Sequence, residues 1–391
     1  MIISEIREQF KALQQGHVYL DNAATSLTPN AVLDKMYEYY TQYPGSVHRG
    51  NYEWVNTASD KYEGVRDKIQ QWCNASNYTV VFTSGATNSS NIVVHNAKQL
   101  GVTMFHTCLN DHHANIVPHR LANTPVTVKQ FTPDGLVSEE DILDGVLDAH
   151  MLHLSGVFNA TGQILDVKNI VAQAHDKGAM VALDMSQHMS HSSLDANGID
   201  AEFYYWSAHK HYGPTGTGVL LIKNDLVERM VPLIGGGMQV LSVTENNIVF
   251  NNNATKFEAG TPNVAGVIGM GASIDFMNSI GMDNIHKHIE NMTTMIYNGL
   301  IERKVPVVCN ELPADKRGGL VSFTIPGLHC FDVGTEMGLY GIFIRSGKLC
   351  AHPIVDSLST SGFLRASPGV NTNEVDIARF FDVLDSVLIN G

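Results

Sequence analysis

Lys210 stands in Ser207-Ala208-His209-Lys210, after the apolar run Phe203–Trp206 and before the glycine-rich turn Gly213–Gly218. A lysine at the end of a buried strand serves as an amine nucleophile when burial or a nearby cation lowers its pKa. An isolated lysine is more often a solvated surface group. Asp184 closes Ala182-Leu183-Asp184, where a carboxylate can cap the next helix or pair with a protonated ring nitrogen. Thr83-Ser84-Gly85-Ala86-Thr87-Asn88 leads from a β-branched run into a helical one. Backbone N–H groups at such a helix start bind phosphate, and Thr87 adds a hydroxyl. Cys350 follows Arg345-Ser346-Gly347-Lys348-Leu349. Positive charge nearby favours the nucleophilic thiolate, while a buried structural thiol is the plainer alternative.

These groups must be placed by their elements. Thr79–Thr83, Val102–Thr107, Met151–Val157, Met180–Leu183, Phe203–Trp206 and Gly218–Ile222 read as strands. Thr87–Lys98 and Val167–Lys177 read as helices between them. The alternation predicts an α/β fold with a mostly parallel sheet, whose sites lie at the carboxyl ends of strands. The texture changes after Val264. Two long helices, Val264–Ile280 and Asp283–Arg303, precede strands at Gly319–Thr324 and Ile342–Arg345 and a helix at Glu374–Leu388. This predicts a large domain over residues 20–265 and a smaller α+β domain over 1–19 and 266–391, with a helix at Ile2–Leu13 packed on the latter.

Composition narrows the class. Acidic residues outnumber basic ones 39 to 25, for a net charge of −14, which disfavours nucleic acid and anionic membrane surfaces as partners. No apolar run approaches the roughly 20 residues of a membrane span, and the start of the chain lacks a signal-peptide layout. The 5 cysteines are scattered and form no CxxC pair, so neither a disulfide framework nor a metal site is expected, and a cytoplasmic setting is.

A phosphate-binding turn, a strand-end Asp and a strand-end Lys, in that order, suit pyridoxal phosphate (PLP). With Tyr19–Thr25, Val47-His48-Arg49-Gly50, His112–Pro118, Ser207–Gly218, Gly235–Gly237, Phe257–Asn263, Arg345–Ala351 and Arg365-Ala366-Ser367, the chain resembles fold-type-I PLP enzymes of the class V aminotransferase group. Within that group it is similar to the cysteine desulfurases, nearest their group II, Suf-type branch. The resemblance implies a seven-stranded sheet, a homodimer, L-cysteine as substrate and a protein sulfur acceptor. Lys210 would bond the cofactor and remove the substrate's α-proton. Asp184 would pair with the ring nitrogen, Gln187 with the phenolic oxygen, and His112 would stack on the ring. Ala86, Thr87, Ser207 and His209 would hold the phosphate, joined by Thr261 of the other subunit. Asn159 would lie by ring and substrate, Arg365 would clamp the carboxylate with Arg345 nearby, and His48 and Arg49 would line the site near the dimer interface. Cys350 would take the sulfur as a persulfide, leaving alanine.

The sequence departs from the family where Lys348 and Leu349 replace histidines before the thiol, where Ser84-Gly85-Ala86 precedes Thr87, where Asp111 replaces a glutamate, and where Pro368 follows Ser367. The alternatives on the same scaffold are a cysteine or cystine C–S lyase, a selenocysteine lyase and an aminotransferase. A non-catalytic scaffold is the reading outside enzymes, and the intact Lys210–Asp184 pair opposes it.

Overall fold

The computed structural model describes residues 3–390; Met1, Ile2 and Gly391 lie outside the described residues, and with Ile2 goes the first residue of the expected N-terminal helix. The apolar runs form one sheet from β1 (Tyr78–Thr83), β2 (Met104–Cys108), β3 (Val126–Lys129), β4 (His150–Ser155), β5 (Met180–Asp184), β6 (Phe203–Ser207) and β7 (Gly218–Lys223). They lie side by side in the order β1-β7-β6-β5-β4-β2-β3, giving the expected 7 strands. Neighbours from β6 to β3 run parallel, and β7 runs antiparallel to both β1 and β6.

Both faces of this sheet are covered, so its strands are apolar without polar alternation. Successive side chains still leave on opposite faces. Phe82, Leu152, Leu154, Val181, Leu183, Tyr204, Trp206, Val219 and Leu221 enter one core. Val81, Met151, Ala182, Phe203, Tyr205, Leu220 and Ile222 enter the other. The helix Val264–Ile280, read from sequence with the smaller domain, sends Val264, Val267, Ile268, Met270 and Ile274 into the first of these cores.

A further core joins Val18 and Leu20 to Met292, Ile296, Leu300, Val321, Phe323, Leu364, Phe380 and Leu384. It backs an antiparallel sheet of β8 (Val321–Phe323), β9 (Arg345–Gly347) and β10 (Phe363–Ala366), ordered β8-β10-β9. The single strand expected at Ile342–Arg345 is two. Ile342–Phe343 pairs parallel with Val18–Tyr19, while Arg345 pairs with Arg365 in the other sheet, so the ladder breaks at Ile344. Strand β3 and the hairpin Val240–Val243/Ile248–Phe250 escaped the sequence reading, being short or exposed runs interleaved with polar residues. Among the described residues no single helix is long and apolar enough to cross a membrane.

Candidate active site

The carboxyl ends of β4, β5 and β6 open onto a cleft of about 210 Å³. Its walls include Ala23, Ala24, Ala86, Thr87, His112, Asn159, Asp184, Ser186, Ser207, His209, Lys210, Arg345, Leu349, Cys350 and Arg365. Most of the residues singled out from sequence therefore meet in one place, although they come from both sheets.

Lys210 ends a single 3-10 turn, Ala208–Lys210, that follows β6. The turn is fixed from behind: His209 O accepts from Ser26 N at 2.8 Å and Ser26 Oγ at 2.9 Å. Burial lowers the amine pKa and the Arg365 charge adds to this, while Asp184 and Cys350 oppose it. Asp184 ends β5 and accepts from Ser186 N at 2.9 Å. Burial raises its pKa against the stabilising charge of Lys210. His112 is held at about 3 by burial, by Lys210, by His113 and by Arg365, so its ring is neutral. Asp111, behind it, is pushed up to about 7 by burial, with donors from Ser155 and Asn115 opposing.

The phosphate-type turn depends on two glycines. Gly85 has φ +148°, and a Cβ on Gly218 would sit 2.6 Å from Gly85 Cα, so only glycine lets the ends of β1, β6 and β7 converge. Ala86 N then donates to Ser207 Oγ at 2.8 Å, and helix Ala86–His95 aims its start at the cleft. Such a start favours an anion.

Arg365 and Arg345 sit opposite each other in register on β10 and β9. Like charges so placed repel, and Asp21 lies between them, 3.4 Å from Arg365 and 3.9 Å from Arg345. Arg365 is buried and donates to Asn159 O at 2.8 Å, whereas Arg345 is exposed. Three buried atoms of cleft-lining residues have no partner among the described residues: Asn159 Oδ1, Ser186 Oγ and Arg365 Nε. Polar atoms left so in a native fold call for a ligand or water.

Cys350 is exposed, whereas Cys73, Cys108, Cys309 and Cys330 are buried. Leu349 and Cys350 both adopt left-handed backbone, at φ +53° and +54°, which for residues other than glycine costs about 1–2 kcal/mol each. The strain persists because the loop is pinned. Asn159 Nδ2 donates to Leu349 O at 2.6 Å, His113 N donates to Cys350 O at 2.9 Å, and His352 N donates to His113 Nε2 at 3.1 Å. One expectation needs correcting. Lys348 does not lend its charge to the thiol, because its amine is ion-paired with Asp356. The cations that share the cleft with Cys350 are Lys210, Arg345 and Arg365.

Four expected residues do not line this cleft. Gln187 lies behind the wall and donates to Ala23 O at 2.9 Å. Thr261 is exposed elsewhere. His48 pairs with Glu63 at 3.1 Å, and Arg49 Nε lies 2.9 Å from Met238 Sδ. Conversely, Asp21, Ser186 and His113 emerged only from the structure. Asp21 lay in a motif quoted for its resemblance, but its pairing with two arginines more than 300 residues away has no local signal.

This fold, with a lysine, an aspartate and an anion-binding helix start at the carboxyl edge of its sheet, is that of the fold-type-I enzymes. The chain belongs to the family described as aminotransferase class-V, which it matches over residues 18–380. It is 36% identical to a probable cysteine desulfurase of Streptomyces coelicolor, across 98% of this chain and 96% of that one. An apo cysteine desulfurase from Thermococcus onnurineus superposes with a TM-score of 0.93 at 29% identity, over 99% of this chain and 98% of the other. The Escherichia coli cysteine desulfurase CsdA, in an S-sulfonic acid form, gives 0.91 at 31% identity, over 100% and 99%.

Proposed function

We propose that this chain is a PLP-dependent cysteine desulfurase that moves sulfur from L-cysteine to Cys350 and leaves alanine. The observation that carries this is the placement of the chain's exposed thiol in the same cleft as Lys210, Asp184 and Arg365. Class-V aminotransferases are generally PLP enzymes, and the residues here fit that cofactor. Asp184 offers a buried carboxylate to the ring nitrogen and His112 a neutral ring to stack on its face. The helix start at Ala86 and Thr87, with Ser207 and His209, suits the phosphate. The orphaned Asn159 Oδ1 and Ser186 Oγ supply unused polar capacity, and Gln187 stands just behind the wall. When bound, the cofactor supplies an electron sink for the substrate's α-carbon.

The chain's own groups do the rest. Arg365, with Arg345 beside it, offers forked donors to the substrate carboxylate, which replaces Asp21 as their partner. Lys210, its amine made less basic by burial, takes the α-proton and returns it to the product. Cys350 Sγ attacks the substrate sulfur. As the new sulfur–sulfur bond forms the carbon–sulfur bond breaks, and its electron pair stays with the β-carbon, which takes a proton to become the methyl group of alanine. The outer persulfide sulfur then passes to an external acceptor, leaving Cys350 as a thiol. His48, Arg49 and Thr261 complete the site from a second copy in a homodimer, and the enzyme works in the cytoplasm.

Product analysis tests this. Wild type and Cys350→Ala, each supplied with PLP, L-cysteine and a reductant, are assayed for alanine, pyruvate and sulfide. Equal alanine and sulfide, lost in the variant, are expected. Pyruvate in place of alanine, unaffected by the substitution, would identify a C–S lyase instead.

A further inference from the structure

Behind the cleft a file of buried side chains crosses the sheet, and the proposed reaction uses none of it. At its inner end the Asp111 carboxylate accepts from His112 N at 2.8 Å, Asn115 Nδ2 at 2.9 Å, Ser155 N at 3.0 Å and Ser155 Oγ at 2.5 Å. Asn115 Oδ1 accepts from Tyr205 OH at 2.7 Å. The Tyr205 oxygen lies 2.6 Å from His153 Nε2, and His153 Nδ1 lies 2.8 Å from His119 Nε2. His119 Nδ1 in turn lies 3.2 Å from Thr124 Oγ1. Asp111, Asn115, His119, His153 and Tyr205 are each no more than 1% exposed.

With Asp111 ionised, one arrangement of protons satisfies these contacts. An ionised carboxylate only accepts, so the Asn115 amide donates to it. The single Tyr205 proton goes to Asn115 Oδ1, and the Tyr205 oxygen then accepts from His153 Nε2–H. His153 Nδ1 is left bare and accepts from His119 Nε2–H, and His119 Nδ1 accepts from Thr124. Every proton points toward Asp111, so each bond polarises the next. Both imidazoles are neutral: burial holds His119 at about 4 and His153 well below the ordinary value.

The file also reaches Asp184. On the sheet Asp184 stands in register between Ser155 and Tyr205, whose side chains bond Asp111 and Asn115. The titratable groups facing Asp184 are Lys210 from the turn after β6, Asp111 from the loop after β2, and Tyr205 from β6 itself.

We propose that His119, His153, Tyr205 and Asn115 form a one-way hydrogen-bond relay that orients the Asp111 carboxylate behind the cleft and, beside it, Asp184 in the cleft wall, with Tyr205 as its central positioning residue. The proposal rests on the cleft being a PLP site. Tyr205 has no atom in the cleft, so its influence passes through Asn115.

Two measurements decide it. The first needs no cofactor: in protein labelled with 15N-histidine, His119 and His153, assigned by H119Q and H153Q, should both keep a bare Nδ1 and a protonated Nε2 from about pH 5 to pH 8. A proton on either Nδ1 overturns the relay. The second compares wild type with Tyr205→Phe, each loaded with PLP. Without the Tyr205 proton on its Oδ1, the Asn115 amide is a weaker and less fixed donor. Weaker donation raises a carboxylate pKa, so the acid midpoint of the cofactor's absorption change should move up by about 1 pH unit. At neutral pH kcat should fall ~10-fold with KM within about twofold. An unchanged midpoint overturns the proposal. If wild type shows no absorption band that Lys210→Ala removes, the PLP reading itself has failed, and the histidine tautomers still decide the relay. If Tyr205→Phe does not fold, the wild-type tautomers decide it alone.

Discussion

The two sides of the cleft are built on opposite principles. Lys210, Asp184 and Ser207 are set by the ends of adjacent strands in a sheet covered on both faces. Cys350 sits on a loop with two successive left-handed residues, tied down by bonds from Asn159 and His113. A group that must hold a ring in one orientation belongs on the stiff side. A group that must take sulfur inside and give it up outside belongs on the side where backbone energy is already near a tipping point. The comparison teaches that one chemistry can divide its demands between a scaffold and a poised loop.

The contrast can be broken first at Lys210. Lys210→Ala should abolish turnover, by ~10⁴-fold or more, and remove the absorption band of the bound cofactor. Retained turnover would show that another group moves the α-proton. Cys350→Ser comes next. It should cut alanine formation from cysteine ~10²-fold while leaving that band intact, since Cys350 belongs to the other side. Loss of the band would mean the loop also holds the cofactor. Arg365→Lys should raise KM for cysteine about 30-fold with a smaller change in kcat, because a point charge cannot replace a fork; equal KM values would move the carboxylate site elsewhere. His113→Ala removes the ring that accepts from His352 N. It should speed iodoacetamide labelling of Cys350 in the cofactor-free protein roughly 3- to 10-fold, with little change in melting temperature. Unchanged labelling would show that His113 does not restrain the loop.

The mildest expected effect is on stability and concerns the stiff side. Burial holds His106, His119 and His209 at about 4 and His112 at about 3. These groups are neutral when folded but bind protons near pH 6.5 when unfolded. Between those values the unfolded state holds more protons, so stability is full above about pH 6.5 and falls as pH drops toward 4. Calorimetry should show the melting temperature lower by about 5 °C or more at pH 5 than at pH 7; a flat profile would mean these rings gain protons without unfolding the chain.

What was legible in the sequence follows the same division. The strands under Asp184 and Lys210 announce themselves as apolar runs, and their ends mark the chemistry. Val264–Ile280 is visible as a helix, but its side of the boundary is not, because an all-apolar helix carries no stripe to say which core it joins. On the loop side, Cys350 is legible as a thiol, but Lys348 misleads, since its partner Asp356 lies beyond a turn that sequence does not specify. The file from Asp111 to His119 is invisible for a different reason. Residues 111, 115 and 119 stand four apart on one segment, but they meet 153 and 205 only through the lateral order of the strands, which no local pattern encodes.

The unequal burial of the cysteines has a practical consequence. Burial pushes the thiols of Cys73, Cys108, Cys309 and Cys330 up, while Cys350 stands in solvent. To a maleimide the native chain is a single-thiol protein, although it has 5 cysteines. A dye, spin label or surface tether therefore attaches at one defined address without engineering. The remaining thiols become countable only as the chain opens, so one thiol titration reads active-site occupancy at Cys350 and folding at the four buried cysteines.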